Sequence, residues 1–393
     1  MSLGLDTLRS SVLSDGTAFR LRTRLQPAGG PGDKVFPPTY AEGQDGRKHD
    51  TKYACEVRVV DGERKPTVLL DSVASQANRM ELALLDARGR EQLPLPLIAV
   101  DLGKEFPEIG RISALETPHR VYDAILRDAL LEGTPFRASE MGRRLTDASP
   151  TDARAMYEHC PTALLLGAWD STGPRGGLGN KFQRALVSEV VGIGFEAGTK
   201  VGSRIDPLQI SAGVRINIPK EDSDAWSVDE KGKSKNKPSE VNHSNIAPTR
   251  DLDAGGVTFE YALHTAVLSL PALRRLKFGP WTAAQADSAR VVLAALGLVS
   301  MVLQRRSGYD FRSRCTLVPE GPGEIELVRS DGTVETLALG VEDALQLYQG
   351  AVAEAEKAGV RWVTDDIVLE PMPKLIQLIR ASQAHMAAGG SEE

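Results

Sequence analysis

The sequence has few cysteines and few aromatic residues, and it lacks a long apolar run. Three cysteines, Cys55, Cys160 and Cys315, occur among 393 residues, an odd number without a CxxC pair, which excludes a disulfide framework and a cysteine-rich zinc site. No stretch approaches the ~20 consecutive apolar residues of a membrane span, and residues 1–16 carry no apolar signal core. These absences predict a cytoplasmic protein with no membrane partner.

Patterns of catalytic residues are also absent. Six histidines are scattered without metal-binding spacing, and GxSxG does not occur, so neither a metal site nor a hydrolase elbow is indicated. The glycine-rich loop 173–181 has Leu178 and Gly179 where a phosphate loop needs Gly and Lys, and Phe182 stands where a dinucleotide fingerprint needs its third glycine. We therefore expect no cofactor, no metal and no enzymatic activity. A ribonuclease that uses a histidine pair stays open, because catalytic partners need not be neighbours in sequence.

The negative charge of the chain is concentrated at its C-terminal end. The formal net charge is −6, but residues 319–393 hold 14 acidic and 5 basic residues, which leaves 42 basic against 39 acidic residues before them. Residues 272–315 hold eight Lys or Arg against two Asp. Because phosphate attraction decays over ~8 Å at physiological salt, this cationic segment predicts a polyanion partner despite the overall sign.

Two segments place polar side chains where an anion could bind. In AFRLRTRLQP, Arg20, Arg22 and Arg24 alternate with other residues at the period of a half-buried strand, so three guanidinium groups line one face. An edge strand that uses charge against aggregation is the alternative interpretation. In LLDSVASQANRMELALLDA, a helix begins at an Asp or Ser cap, and its polar first turns either bind an anion or face solvent.

Two further segments are rich in glycine or in polar residues. The stretch GAWDSTGPRGGLGNKFQRALVSEVVG, residues 167–192, bears Arg175, Lys181 and Arg184 on a backbone that can approach phosphates closely, although glycine required only for packing also explains it. Residues 219–256 form a long polar insertion between the strand-like segments LQISAGVRINI and GVTFEYALHTAVLSL. The insertion is predicted to project as the tip of a long hairpin.

The clearest helix covers TAAQADSARVVLAALGLVSMVLQRRSG, where Thr282 and Gln285 form a capping box and apolar residues recur on one side. Helices are also predicted over PHRVYDAILRDALLE and VEDALQLYQGAVAEAEKAG. Strands are predicted over TALLLGAWDS, FQRALVSEVVGIG, YDFRSRCTLV and EIELVRS. Strands and helices without regular alternation predict an α+β fold and not a doubly wound parallel sheet.

Several of these segments resemble one known family. The segments that carry the resemblance are GPGDKVFPPTY, LLDSVASQANRME, LGAWDSTGPRGGLGNKFQRALVSEVVG, SEVNHSNIAP and LHTAVLSLPALRRLKF. They occur in the order expected of the backbone (Cas-seven) subunit of type I-G, formerly I-U, CRISPR surveillance complexes, a member of the RAMP superfamily. The resemblance extends in blocks from about residue 29 to residue 278. It covers the acidic C-terminal segment least.

The resemblance implies a single domain over residues 1–393 with a ferredoxin-like palm of the RNA-recognition type. A finger-like insertion at 29–68, a projecting thumb hairpin at 215–256 and the acidic C-terminal segment at 319–393 would decorate that palm. The implied function is that of a noncatalytic subunit that binds guide RNA (crRNA), polymerises head to tail along the spacer as a helical filament, and presents the guide to a target DNA strand in antiviral defence. The implied partners are other copies of itself, other subunits of the complex and a recruited helicase-nuclease.

The resemblance and the basic segments described above together suggest which residues contact RNA. Processing relatives use a catalytic histidine that has no counterpart we can place, so no catalytic or metal-binding residue is predicted. The alternatives are an RNA-processing or nucleotide-using enzyme built around loop 173–181, and a structural protein whose charged surfaces contact only protein. The RNA-binding candidates are Arg20, Arg22, Arg24, Lys34, Ser72, Gln76, Asn78, Arg79, Arg175, Gly176, Gly177, Lys181, Arg184, Asn242, His243 and Asn245.

Overall fold

The computed structural model describes residues 3–41, 51–90, 92–173, 181–219 and 223–387. Helices and strands are mixed along the chain, which confirms the predicted α+β class. The helices are α1 (Leu5–Leu13), α2 (Val73–Gly89), α3 (Ala124–Arg127), α4 (Glu140–Asp147), α5 (Arg154–His159), α6 (Pro161–Leu166), α7 (Leu270–Arg274), α8 (Ala283–Arg306), α9 (Val341–Lys357) and α10 (Pro373–Ala387). The strands are β1 (Gly16–Pro27), β2 (Cys55–Val60), β3 (Glu63–Asp71), β4 (Leu97–Asp101), β5 (Arg111–Ser113), β6 (Ala129–Leu131), β7 (Thr134–Pro135), β8 (Ala168–Trp169), β9 (Lys181–Phe182), β10 (Leu186–Ile193), β11 (Glu196–Ala197), β12 (Lys200–Arg204), β13 (Ile216–Asn217), β14 (Ser227–Val228), β15 (Ile246–Asp251), β16 (Val257–Thr258), β17 (Tyr261–Ser269), β18 (Tyr309–Asp310), β19 (Thr316–Pro319), β20 (Ile325–Arg329), β21 (Val334–Leu337) and β22 (Asp366–Pro371).

The largest sheet has β1 in its interior. Its strand order is β18-β19-β1-β17-β10-β3-β2, and β20 pairs with the first half of β1 on the side where β19 pairs with its end. The ladders that join β20, β1, β17 and β10 are all antiparallel. Helix α2 comes between β1 and β10 in the chain, and α8 comes between β17 and β20. These elements form a β-α-β-β-α-β unit, the element order of the ferredoxin-like palm.

Helix α8 forms the centre of the apolar core on one face of this sheet. The predicted capping box is confirmed, because the Thr282 hydroxyl accepts from the Gln285 N–H at 3.3 Å and the Gln285 side chain accepts from the Thr282 N–H at 3.0 Å. Gly297 permits a close approach to β17, since an added Cβ would lie 2.9 Å from Leu268. By length and composition α8 could cross a membrane, but 78% of its most apolar window is buried inside the protein. Its surroundings are those of a core helix.

The segment predicted as acidic and C-terminal, residues 319–393, is built into the fold as far as the structure describes it. Strands β20 and β21 extend the large sheet, and α9 packs along α8. Strand β22 lies parallel to β4 in a second sheet of order β5-β4-β22-β6-β7. Tyr348 of α9 and the indole of Trp362 both donate to the carbonyl of Pro94. The acidic residues therefore decorate a packed layer of structure.

A long arm grows from the hairpin of β10 and β17, between residues 194 and 260. Short antiparallel ribbons follow one another along it, formed by β11 with β16, β12 with β15, and β13 with β14. The arm therefore begins closer to the sheet than the predicted insertion. The segment LQISAGVRINI, predicted as a strand, is a strand only at β13. Upstream of β13 the Asp206 carboxylate accepts from the N–H groups of Leu208 and Ile210 and holds a turn.

Three other predicted elements differ in the structure. TALLLGAWDS, predicted as a strand, is largely helical, because an apolar run this short fits a buried helix as well as a strand. Helix α6 begins at Pro161 and ends at Leu166, before Gly167 with φ of +83°, and the strand β8 follows. PHRVYDAILRDALLE is divided, since Asp123 accepts from the Ile125 N–H, caps the short helix α3, and is followed by β6. YDFRSRCTLV forms β18 and β19, joined by a turn in which Arg314 has φ of +61°.

Candidate nucleic-acid interface

The predicted arginine strand is β1, and its arginines lie on the sheet face opposite the helices. Phe19 and Leu21 are buried in the core, whereas Arg20, Arg22 and Arg24 alternate with them and point to the open side. The strand is internal, because β17 pairs along one side of it and β19 and β20 pair along the other. The interpretation of this segment as an edge strand is therefore wrong.

The three arginines differ in their partners. Nε of Arg20 lies 2.6 Å from the carboxylate of Glu326 in β20. The guanidinium of Arg24 lies over the ring of Tyr261 in β17, 3.9 Å from its centroid. Arg22 is exposed and forms no hydrogen bond or ion pair within the described part of the chain. Arg22 and Arg24 therefore present positive charge that no carboxylate in the described ranges neutralises.

Beside the arginines, the open face carries mostly small or aliphatic side chains from β17 and β10. The exceptions are Tyr261 of β17, beneath Arg24, and Glu189 of β10, whose two carboxylate oxygens lie 2.5 and 3.2 Å from the guanidinium of Arg58 in β2. This pairing neutralises the carboxylate that would otherwise repel an anion. The residues in register with the arginines are Val267, Thr265 and Leu263 of β17, followed by Val187, Glu189 and Val191 of β10.

A groove of about 650 Å³ continues the open face beyond β10. The start of α2 and the hairpin of β8 and β9 line it, and exposed Val187 belongs to both the groove and the sheet face. Trp169 of β8 is 48% exposed, and Nζ of Lys181 lies 5.6 Å from its indole ring. Exposed Arg184 donates to the carbonyl of Leu166 at 3.1 Å. An exposed indole beside cationic groups suits a stacked base whose phosphates need neutralising.

The glycine-rich loop is attached to this groove at both of its ends. Trp169 and Lys181 are paired in the β8–β9 ladder, so the chain leaves and returns at the groove. The predicted contacts Arg175, Gly176 and Gly177 lie outside the described residues. Trp169 was missing from the predicted contacts, although it belongs to the same motif. An aromatic residue next to a glycine-rich, basic stretch is the signal that could have identified it.

The predicted contacts on α2 have different surroundings. Ser72 is the N-cap, and its hydroxyl accepts from the backbone N–H three residues later at 3.2 Å. Asn78 is exposed, whereas Gln76 is fully buried and cannot reach a surface ligand. Arg79 donates to the Asp71 carboxylate at 3.0 Å and to the carbonyl groups of residues 310 and 311 at 2.9 Å. Arg79 therefore holds β18 and the turn after it against α2.

Gln76 belongs to a buried chain of hydrogen bonds on the helix-covered face. Its amide donates to Asp71 at 2.6 Å, and its carbonyl accepts from the Ser188 hydroxyl at 2.8 Å. Because that hydroxyl proton is already donated, Ser188 accepts from Nε2 of His264 at 2.8 Å, and Nδ1 accepts from the Tyr309 hydroxyl at 3.1 Å. Burial lowers the pKa of His264 to about 3 and raises that of Tyr309 to about 12. Both groups stay neutral, and the chain organises the core.

The remaining predicted contacts hold the arm in shape. Nζ of Lys34 donates to the carbonyl of residue 199 at 3.0 Å, at the base of the arm. Arg204 of β12 lies 3.5 Å from the side-chain oxygen of Asn242 and donates to the carbonyl of His243 at 2.6 Å. The side-chain oxygen of Asn245 accepts from the backbone N–H of residue 206 at 2.6 Å. These bonds make the polar insertion a folded element.

The cationic segment predicted over residues 272–315 does not form one surface, because α8 separates its two ends. Arg290 and Arg305 stand 15 residues apart on this helix, about 22 Å along its axis. Arg290 pairs with Asp287 at 2.7 Å. Arg274 donates to the main-chain carbonyl groups of residues 12 and 16 at 2.9 Å. The cationic groups of the groove include Lys181 and Arg184 of the glycine-rich motif, and those of the open sheet face include Arg22 and Arg24 of β1.

The groove and its surroundings hold few groups with the geometry of a metal site. Across the described ranges, no group of three or more His, Cys, Asp or Glu side chains is arranged to hold a metal ion. His119 is a histidine that lines the groove. His159 is buried, and its burial lowers its pKa. The groove also offers charge and a stacking surface, through Lys181 and Trp169.

An open antiparallel face joined to a cationic groove with an exposed indole is typical of proteins that bind single-stranded nucleic acid. Residues 19–197, somewhat under half of the 393-residue chain, match the model of the family described as CRISPR-associated protein GSU0053. This match confirms the resemblance to CRISPR-associated backbone proteins of the Cas-seven type and supports a role in CRISPR defence. No curated protein matches the chain. The matched residues include β1, α2, β10 and the β8–β9 hairpin.

Proposed function

We propose that this protein is a noncatalytic backbone subunit of a type I-G CRISPR surveillance complex and that it binds the guide RNA (crRNA) along the open sheet face and the groove. The observation that carries the proposal is the position of Trp169. Its exposed indole lies near Lys181, in a groove that continues a sheet face bearing Arg22 and Arg24. All four residues lie within the family-matching region.

The composition of this surface suits a guide whose sequence must remain readable. Guanidinium and ammonium groups neutralise phosphates, and the indole stacks on any base, so neither type of contact selects a sequence. RNA-recognition folds stack bases on aromatic residues in the sheet. Here the sheet carries Thr265 and Leu263 beside the arginines, and the exposed aromatic lies at the groove. In this proposal, base pairing with the target DNA strand supplies specificity.

The arm supports assignment as the thumb of such a subunit. Large apolar side chains lie exposed along it, with Ile205 at 84%, Leu208 at 71%, Val201 at 66% and Leu252 at 60% exposure. Apolar groups exposed to this extent favour an interaction site. We propose that the arm contacts the next copy and displaces a guide nucleotide. Repetition of such a heterologous contact builds a filament, which would work in the cytoplasm with other complex subunits and a helicase-nuclease.

Fluorescence anisotropy with a labelled single-stranded RNA tests the interface directly. Trp169→Ala is expected to weaken binding by roughly 5- to 100-fold, the worth of one stacked base. Arg22→Ala is expected to reduce the salt dependence of binding by about one phosphate contact. Arg90→Ala removes an exposed arginine at the other end of α2 and serves as the matched control. Equal affinities for all four proteins would refute the proposed interface.

The enzymatic alternative is tested at the same groove. The protein is incubated with RNA and with nucleoside triphosphates, and products are separated by electrophoresis and chromatography. A binding subunit leaves both substrates intact. Turnover that disappears in His119→Ala, a histidine of the groove, would favour the RNA-processing enzyme. A protein that binds no RNA at low salt would favour a structural role through protein contacts alone.

A further inference from the structure

A buried ion pair lies at the groove, and one of its members, Arg120, contributes to the groove lining. Glu81 of α2 and Arg120 form two parallel hydrogen bonds of 2.7 and 2.8 Å. Their side chains are 1% and 7% exposed. The third contact of the guanidinium is a hydrogen bond of 2.8 Å to the carbonyl of Gly167. The guanidinium of Arg120 thus donates to Glu81 on α2 and to the carbonyl of Gly167, the residue that precedes β8.

Gly167 is the point from which the Trp169 hairpin starts. Its φ of +83° suits glycine, and an added Cβ would lie 2.9 Å from the side chain of Arg184 and 3.2 Å from the carbonyl of Phe182. The residue therefore precedes β8 directly in the chain and lies close to the end of β9. Arg120 itself has φ of +52°, a backbone conformation that few non-glycine residues adopt. A strained residue persists where its surroundings define its position by several contacts.

Stability alone does not account for this arrangement. A buried ion pair gives little net stability over an apolar pair of similar volume, because desolvation of both charges opposes their attraction. A guanidinium differs from an apolar side chain in directing hydrogen bonds at fixed angles. Here that direction leads from Glu81 through Arg120 to Gly167. What the pair adds is a defined orientation of the chain entering β8.

We propose that Glu81 and Arg120 are positioning residues that set the orientation of the Trp169 platform for RNA. The inference rests on the proposed function. Glu81 does not line the groove, and Arg120, which does, directs the hydrogen bonds of its guanidinium at Glu81 and Gly167. They act through Gly167, whose carbonyl they hold, and so through the angle at which β8 presents its indole.

The test compares the wild type with Glu81→Leu/Arg120→Met, which removes both charges at similar volume. Thermal unfolding is expected to be nearly unchanged, while RNA affinity falls about tenfold because the Gly167 carbonyl loses a charge-assisted hydrogen bond. In the Trp169→Ala background the same pair of substitutions is expected to cost little further affinity. Arg88→Met/Asp366→Leu removes an ion pair at the far end of α2 and is expected to leave affinity unchanged.

A second variant and an optical readout keep the test decisive. Gly167→Ala moves the start of the hairpin and leaves both residues of the ion pair in place, and it is expected to weaken RNA binding about as much as the double variant does. It therefore tests the positioning even if Glu81→Leu/Arg120→Met does not fold. The contribution of Trp169 to the fluorescence emission is obtained by subtracting the spectrum of the same protein carrying Trp169→Phe. This emission is expected to shift to longer wavelength both in Glu81→Leu/Arg120→Met and in Gly167→Ala. Retained affinity together with unchanged Trp169 emission would overturn the inference. Absence of RNA binding by the wild type would refute the proposed function, and the emission would still test the positioning.

Discussion

The neutral state of His264 makes the stability of this protein depend on pH in a defined direction. His264 is fully buried between Ser188 and Tyr309, and burial lowers its pKa to about 3, against about 6.5 in an unfolded chain. The unfolded state therefore binds the proton first as pH falls. This contribution to stability is fully present above about pH 6.5 and is lost progressively towards pH 3.

The expected magnitude follows from this difference. At about pH 4.5, two pH units below the unfolded pKa, a single such histidine lowers the free energy of unfolding by nearly 3 kcal/mol relative to neutral pH. Burial also raises the pKa of Glu81, which acts in the opposite direction because the folded state then binds that proton first. A single titration curve therefore contains several contributions, and only a comparison isolates His264.

Urea unfolding at pH 7.5 and pH 4.5 for the wild type and His264→Phe provides that comparison. The variant is expected to be less stable at neutral pH, since Ser188 and Tyr309 lose their shared partner. It is also expected to lose about 3 kcal/mol less than the wild type between the two pH values. Parallel pH dependence of the two proteins would refute the reasoning and would mean that His264 accepts a proton in the folded state.

Three further predictions concern the core, the arm and a helix cap. Leu296→Ala, at a fully buried position of α8, is expected to lower the unfolding free energy by about 2–5 kcal/mol in urea, and a smaller loss would mean that the core collapses around the deletion. Asp206→Ala removes an acceptor of the Leu208, Ile210 and Ser244 N–H groups and is expected to accelerate proteolysis within the arm, whereas unchanged cleavage would contradict its role there. Thr282→Ala, at the cap of α8, is expected to cost about 1 kcal/mol by the same unfolding assay, and an unchanged midpoint would show that the cap adds nothing.

Local patterns predicted the parts of the fold that local forces determine. The alternation in AFRLRTRLQP predicted β1, because a half-buried strand imposes that period. Thr282 and Gln285 marked the start of α8, since capping depends on residues three apart. The position of β1 inside the sheet depends on pairing with β17 and β20, which lie far away in sequence. The alternation alone therefore left internal and edge strands equally open.

The candidate site was predicted less completely, because burial and neighbours arise from tertiary packing. Gln76 has the polarity of a surface contact, yet it is buried because Asp71 and Ser188 satisfy its amide from other elements. Trp169 becomes an exposed platform because Lys181 pairs opposite it across the loop. The charges of residues 272–315 are close in sequence and separated in space by the length of α8. A count of charges along the sequence does not show how far apart those charges lie in the folded protein.

The arm joins the palm between two strands that already pair residue for residue, up to Ile193 opposite Tyr261. Strand register in the palm is therefore fixed before the chain turns outward. Evolution or an engineer could lengthen, shorten or exchange everything beyond that point while the sheet keeps its alignment. The length of the arm could then change independently of the sheet face that carries the arginines.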